Sequence, residues 1–316
     1  MSDNDIKKRL KETKVLVVGD LMLDRYWFGL ANRISPEAPV PVVAVSREET
    51  RIGGAGNVAA NIVSLGVDTS LMSIVGSDSA AEELVHVLKE KNIKDNLVHD
   101  SLISTTVKTR VLAQQQQLIR LDFERQPSEE SVLELVESFK NEVHKYDAVI
   151  FSDYGKGVLQ DIGMLINVSR DVGKLVFVDP KGNNFSKYKN SSFLTPNRKE
   201  LAAVTGPWAS ENELDAKASE LRSDLGLQGL LVTRSEEGMT LYCGSGKIHF
   251  PTRAKEVFDV SGAGDTVIAV FGALVAGGFP LEDASSLANK AAGVVVGKVG
   301  TAAVTFDELF SGWVPQ

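Results

Sequence analysis

Cysteine is almost missing from this 316-residue sequence: Cys243 stands alone, so no internal disulfide forms and no cysteine-rich metal site exists. Histidine is nearly as scarce. His86, His99, His144 and His249 have no metal-ligand spacing and read as surface residues. No apolar run reaches the about 18–20 residues of a membrane span, and the most apolar stretches, near 266–277 and 284–299, read as core helices. Met1 to Lys14 is charged and lacks the apolar centre of a secretory signal. The expectation is a cytoplasmic protein with no membrane partner, its Asn190-Ser-Ser192 sequon unglycosylated. A formal net charge of -8, with no dense Lys/Arg stripe, excludes general nucleic-acid binding. It leaves room for a small anionic substrate held by local amides and a few cations.

Several catalytic templates are also absent. No Gly-x-x-x-x-Gly-Lys-[Ser/Thr] loop occurs: Gly293-Val-Val-Val-Gly-Lys298 is one residue short, and Val299 stands where a metal-binding hydroxyl is needed. No Gly-x-Gly-x-x-Gly follows the first strand, and there is no Gly-x-Ser-x-Gly elbow.

The composition, 43% hydrophobic and 24% charged, is that of a globular protein, and the length suits one large α/β domain over residues 1–316 or a domain with a small appendage. Short apolar runs at Lys14–Gly19, Leu71–Gly76, Ala148–Ser152, Leu175–Asp179 and Leu230–Thr233 read as buried strands. Helical stretches lie near 55–65, 79–91, 130–144, 159–172, 197–204 and 211–224. The alternation predicts a mainly parallel sheet covered on both faces, with ligands beyond the carboxyl ends of its strands. Two segments break the rhythm. Residues 34–47 carry three prolines before a β-branched run, and Thr105–Glu124 alternates as a hairpin across Ala113–Gln117. We therefore expect a small projecting β-sheet, a lid or interface, from about 25–50 and 104–124.

The chemistry concentrates at Asp259-Val-Ser-Gly-Ala-Gly-Asp-Thr266, where a glycine-rich turn leads into the apolar run Val267–Val275. The amides of Gly262, Ala263 and Gly264 at that helix start make an anion site, and Asp265 can act as a general base. A tight turn with a helix-favouring carboxylate explains the same residues. Arg51-Ile-Gly-Gly-Ala-Gly-Asn57 precedes a small-residue helix, so Gly53 and Gly54 let a ligand approach the backbone, while Asn57 caps the helix or bonds a hydroxyl. Asp20 and Asp24 follow the first strand and can accept sugar hydroxyls, or serve as a cap and a salt bridge. Asn197 and Glu200 have capping-box spacing; Glu200 can also order water around Mg²⁺. Thr233, Arg234, Ser235 and Gly238 form a strand and turn suited to nucleotide phosphates or to a plain hairpin, and Asn289 lies on the next apolar helix.

Taken together, Gly53–Asn57, Asn197–Glu200 and Asp259–Asp265 resemble, in order and over nearly the whole chain, the ribokinase/PfkB family of sugar kinases. Gly19–Trp27, Arg33–Pro41, Gln117–Phe123 and Ser152-Asp-Tyr-Gly-Lys-Gly157 are more narrowly similar to the bacterial heptose-7-phosphate kinases of lipopolysaccharide synthesis. The resemblance implies a ribokinase-like three-layer sandwich with a β-lid and ATP- and Mg²⁺-dependent phosphorylation at O1 of a heptose 7-phosphate. It implies Asp265 as base, with the Gly262, Ala263 and Gly264 amides stabilising charge. Asn197, Thr233, Arg234, Ser235, Gly238 and Asn289 would surround ATP, Glu200 would act on Mg²⁺ through water, and Asp24 would hold a sugar hydroxyl. The implied lid is often a homodimer contact. Arg110, Lys156 and Lys181 are the cations suited to the sugar phosphate, with solvated charge the plain alternative. Fructose phosphate, ribose or a nucleoside stay open as substrates, as do a non-catalytic sugar sensor and a monovalent cation beside the turn. Many relatives fuse a nucleotidyltransferase whose His-x-x-His motif is absent here, so a stand-alone kinase or an excised kinase module is expected.

Overall fold

The computed structural model describes residues 2–114, 116–253, 257–298, 300 and 302–314. Met1, Gln115, Val299 and Gln316 lie outside them. The chain opens with α1 (Asp3–Glu12), begun by a Ser2/Asp5 capping box. It continues through β1 (Lys14–Gly19), β2 (Leu21–Ile34), β3 (Pro41–Gly54), α2 (Ala55–Ser64), β4 (Asp68–Gly76), α3 (Ser79–Glu90) and β5 (Lys94–Asp100). The hairpin β6 (Val107–Ala113) and β7 (Gln116–Phe123) is followed by α4 (Glu129–Glu142), β8 (Ala148–Ser152), α5 (Ile162–Asp171), β9 (Leu175–Asp179) and β10 (Phe193–Leu194). Then come α6 (Arg198–Thr205), α7 (Glu211–Asp224), β11 (Gly229–Thr233), β12 (Met239–Cys243), β13 (Gly246–Phe250), α8 (Ala263–Ala276), α9 (Leu281–Val295) and α10 (Phe306–Phe310).

The central sheet has the order β13-β12-β11-β10-β9-β8-β1-β4-β5. It is parallel from β11 through β5, and β11, β12 and β13 form an antiparallel meander at one edge. Side chains alternate between its faces as period-2 geometry requires. Val15 and Val17 join the core beneath α1, α2, α3, α8, α9 and α10, whereas Leu16 and Val18 join the opposite core beneath α4 to α7. The expected helix-covered sheet is therefore present, with each of the five apolar runs a strand.

Two features set α8 against the sheet. Phe271 meets Phe177 and Phe193 edge-on, with ring centres 5.8 and 5.3 Å apart. Gly272 presses on β8 so closely that an added Cβ would lie 2.7 Å from the Ile150 side chain. The N-terminus of α8 thus arrives beside the segment that follows β8.

A second sheet, ordered β3-β2-β6-β7, is built from the proline-rich and alternating segments. Its β2/β3 and β6/β7 pairs are antiparallel and its central β2/β6 pair is parallel. Its first strand starts earlier than the sequence pattern suggests, because β2 begins at Leu21, two residues after β1 ends at Gly19. The sequence pattern also passes over α1, the edge strand β5 and the β12–β13 hairpin.

Candidate active site

Asp265 lies in the first turn of α8, 3% exposed, and both of its oxygens are engaged. The Asn57 amide donates to Oδ2 at 2.8 Å, and the Tyr154 hydroxyl donates to Oδ1 at 2.7 Å. Asn57 is itself fixed by Asn61, whose amide donates to the Asn57 carbonyl at 2.9 Å, while Asn61 Oδ1 accepts from Thr266. Burial pushes the Asp265 carboxyl up to about 6, and the two donors partly offset that rise. A carboxylate titrating there is ionised near neutrality yet basic enough to accept a proton.

Gly262 caps α8 with φ of 77°, a left-handed conformation that favours glycine. The Ala263 amide turns back to the Val260 carbonyl at 3.3 Å. The Ala263 amide, expected to be part of the anion site, is thus engaged within the turn, and the other first-turn amides of α8 lie at the positive end of its dipole. Asp259 braces the turn by accepting from the amides of Ser261, at 2.9 Å, and Gly300, at 3.0 Å.

The second sheet supplies the neighbouring wall. Asp24, on β2, is buried and accepts from Arg110 at 2.5 Å. Gly53 lies against it: a Cβ there would come within 2.3 Å of Asp24 Oδ2. Gly54, with φ of 58°, passes so near the Asp20 carbonyl that a Cβ would sit 2.2 Å from its oxygen. Lys108 and Arg110 share one face of β6, and the register sets Lys108 opposite Asp24 and Asp122, and Arg110 opposite Arg120. Like charges placed directly across a strand pair repel. Arg120 is held by Asp122 at 2.7 Å and Lys156 by Glu124 at 2.6 Å. Lys108 is half-buried, its ammonium 5.8 Å from the Tyr154 ring centre. Burial, with repulsion from Lys156 and Arg120, holds it below the ordinary lysine range despite the nearby Asp24 and Asp122.

Two sequence-based assignments need correcting. Asp20 is 1% exposed and is occupied by backbone: Oδ2 accepts from Tyr154 at 2.8 Å and Lys156 at 3.0 Å, and Oδ1 from Val158 at 3.2 Å. Its carboxylate organises the loop after β8 rather than meeting a sugar. Arg234 is turned inward, where Glu211, Glu237 and Thr240 accept its guanidinium donors. It ties α7 to the β11–β12 turn instead of facing nucleotide phosphates. Lys181 is paired with Glu200 at 3.2 Å, its stem running past Gly155, next to Lys156 in the chain.

The remaining predicted residues gather at the other end of the site. Asn197 and Glu200 form a reciprocal capping box, each side chain accepting the other's backbone amide at 3.0 Å. A parallel bridge joins Asn197 to Thr233. Ser235 has φ of 56°, and Gly238 has φ of 90°, packed where a Cβ would lie 2.1 Å from the Phe250 carbonyl oxygen. Asn289 donates to the Pro251 carbonyl at 2.7 Å, fixing α9 to the segment after β13.

Three residues escaped the sequence reading: Tyr154, Lys108 and Asp179. Lys108 was visible as the alternating neighbour of Arg110; Tyr154 was visible only within the Ser152–Gly157 stretch. Burial and the charges of Asp265 and Glu200 hold the Asp179 carboxyl well above its ordinary range. Among the described residues no three His, Cys, Asp or Glu side chains are grouped to bind a metal directly, and no helix is long and apolar enough to cross a membrane.

Solved structures share this architecture. Phosphofructokinase-2 from Escherichia coli, in complex with potassium, superposes with a TM-score of 0.78 over 94% of this chain and 96% of its own, at 19% identity. Arabidopsis thaliana ribokinase, complexed with ribose and ATP, gives 0.74 over 94% and 97%, at 18% identity. The fold is thus the ribokinase-like sandwich with its additional sheet. Residues 12–307 match the model of the pfkB family carbohydrate kinases, and the chain belongs to that family. A D-beta-D-heptose 7-phosphate kinase from Bordetella bronchiseptica is 46% identical over 302 residues, 96% of each chain. The bifunctional protein HldE of Histophilus somni is 49% identical over 302 residues, covering 95% of this chain. The chain spans 64% of that relative's length.

Proposed function

We propose that this chain transfers the γ-phosphoryl group of ATP to O1 of D-glycero-D-manno-heptose 7-phosphate, giving the 1,7-bisphosphate and ADP, as a cytoplasmic step toward ADP-heptose and the lipopolysaccharide core. The observation that carries the reading is the 46% identity, over nearly full length on both sides, to a protein named for that activity. Asp265 accepts the O1 proton as O1 attacks phosphorus, and the Gly262, Ala263 and Gly264 turn at the α8 N-terminus balances the charge growing on the transferred group. Asp24, Gly53, Gly54 and Asn57 line the sugar, while Lys108, Arg110 and Lys156 receive its 7-phosphate. An anion there relieves the repulsion across β6 and β7.

The nucleotide lies between Asn197, Thr233, Ser235 and Gly238 on one side and Asn289 on the other. Glu200 and Asp179 would hold Mg²⁺ through water, and the crowding that raises the Asp179 carboxyl is the donor chemistry a divalent cation relieves. When bound, Mg²⁺ neutralises charge on the β- and γ-phosphates. The exposed apolar side chains Leu30, Ile34, Val45, Ile119 and Phe123 of the second sheet suit a homodimer contact through that sheet.

The test is ADP release by the purified chain with heptose 7-phosphate, fructose 6-phosphate, ribose and adenosine in parallel, with the product's phosphate position read by ³¹P NMR. The reading requires selective turnover of the heptose and a new signal at O1. Equal rates across the panel, or phosphate at another oxygen, would refute it.

A further inference from the structure

We propose that Tyr154 is a positioning residue for the base, its phenol fixing one oxygen of the Asp265 carboxylate while Asn57 fixes the other. The inference rests on reading Asp265 as the general base. A carboxylate held by a single donor can swivel about its χ2 axis. With donors on Oδ1 and Oδ2, at 2.7 and 2.8 Å, the plane has one orientation and the remaining lone pairs have fixed directions.

Tyr154 is well placed for this task because its own backbone is over-determined. Asp20 accepts the Tyr154 and Lys156 amides, and Asp153 accepts the Gly155 amide at 2.8 Å. Asp153 is anchored in turn by the Lys187 ammonium and the Tyr188 hydroxyl, each at 2.7 Å. Two buried carboxylates therefore set the position of one phenol oxygen. Burial and the adjacent Asp265 hold the phenol well above its ordinary range, so it remains a donor throughout.

The groups acting on Asp265 come from every surrounding element. Asn57 on α2 and Tyr154 after β8 stabilise its ionised form by hydrogen bonds; Lys108 on β6 does so by charge, and Asp24 on β2 opposes it. Asp179 on β9 is a further negative neighbour. Removing the phenol oxygen deletes one stabilising donor, so Asp265 must titrate at higher pH.

The experiment follows Asp265 directly by ¹³C NMR of carboxyl-labelled aspartate, with its signal assigned by loss in Asp265→Asn. In Tyr154→Phe the titration midpoint should move up by about one pH unit, the scale of one hydrogen bond to a charged group. At pH 7 kcat should fall about tenfold while both KM values stay within about twofold. A 3,5-difluorotyrosine at position 154, which keeps the ring and is a stronger donor, should move the midpoint down. This arm also serves if Tyr154→Phe folds poorly. An unmoved midpoint in the substituted proteins would overturn the proposal and leave Tyr154 a packing residue. Retained turnover in Asp265→Asn would instead refute the base itself, a result the titration does not depend on.

Discussion

The amide of Asn57 and the carboxylate of Asp265, 208 residues apart in the chain, meet at 2.8 Å between α2 and α8. Both helices begin at a glycine of positive φ, Gly54 and Gly262. The contact joins the glycine-rich turn that ends the second sheet to the one that starts α8. The candidate site is therefore assembled from two helix N-termini.

A buried base titrating at about 6 sets the sign of the pH response. Above that pH Asp265 is ionised and, in the proposed reaction, competent as the base; below it the carboxyl is protonated and could not accept the O1 proton. The acid limb of log kcat/KM against pH should therefore fall with unit slope below about 6. Asp265→Asn should lower kcat at least about a hundredfold while leaving ATP binding, measured by calorimetry, within about threefold. A flat profile down to pH 5 would remove Asp265 from this role.

Lys108→Met keeps an unbranched apolar stem and deletes the ammonium group with its charge and donors. We expect KM for the phosphorylated sugar to rise at least about tenfold, the cost of losing one charge-assisted contact, with KM for ATP unchanged within about twofold. Steady-state kinetics in both substrates decide between this and a general loss of activity.

Gly54→Ala should be destabilising whatever its effect on catalysis. The residue has φ of 58°, and the new methyl group would collide with a backbone oxygen that cannot yield independently. Strain of this kind costs about 1–3 kcal/mol before the clash is counted. The urea midpoint should fall accordingly, and an unchanged midpoint would contradict the described turn.

Arg234→Leu separates the two roles considered for that residue. Loss of its bonds to Glu211, Glu237 and Thr240 should lower stability by about 1–3 kcal/mol, most of the charged partners being partly exposed. Affinity for ATP should stay within about threefold. A large, isolated rise in KM for ATP would restore the nucleotide-binding assignment.

The parallel strands were legible because burial on both faces writes them as unbroken apolar runs, and Lys14–Gly19, Ala148–Ser152 and Leu175–Asp179 match to the residue. The edge strand β5, Lys-Asp-Asn-Leu-Val-His-Asp, was not, since one face and one edge meet water and its polar residues mask the period. Within the site, turns and helix starts were readable from glycine spacing. What could not be read was which polar groups satisfy one another. Asp20 and Asp24 look alike beside the first strand, yet one binds backbone amides and the other an arginine. Arg234 stands in a turn that suits phosphates, but two nearby glutamates take its donors first. Tyr154 becomes meaningful only once α8 and the loop after β8 are adjacent.

The parallel pairing of β2 with β6 has a consequence for how the molecule is made. Antiparallel neighbours can zip from a short turn, but here the partner strands are separated by β3, α2, β4, α3 and β5. The second sheet cannot close until that whole stretch has collapsed, so its formation is a late, non-local event in folding. Residues such as Lys108 and Arg110 reach Asp24 only at that stage. The cationic wall that Lys108 and Arg110 form is then tied to a non-local pairing, and local opening of the second sheet would take it apart while leaving the central sheet intact.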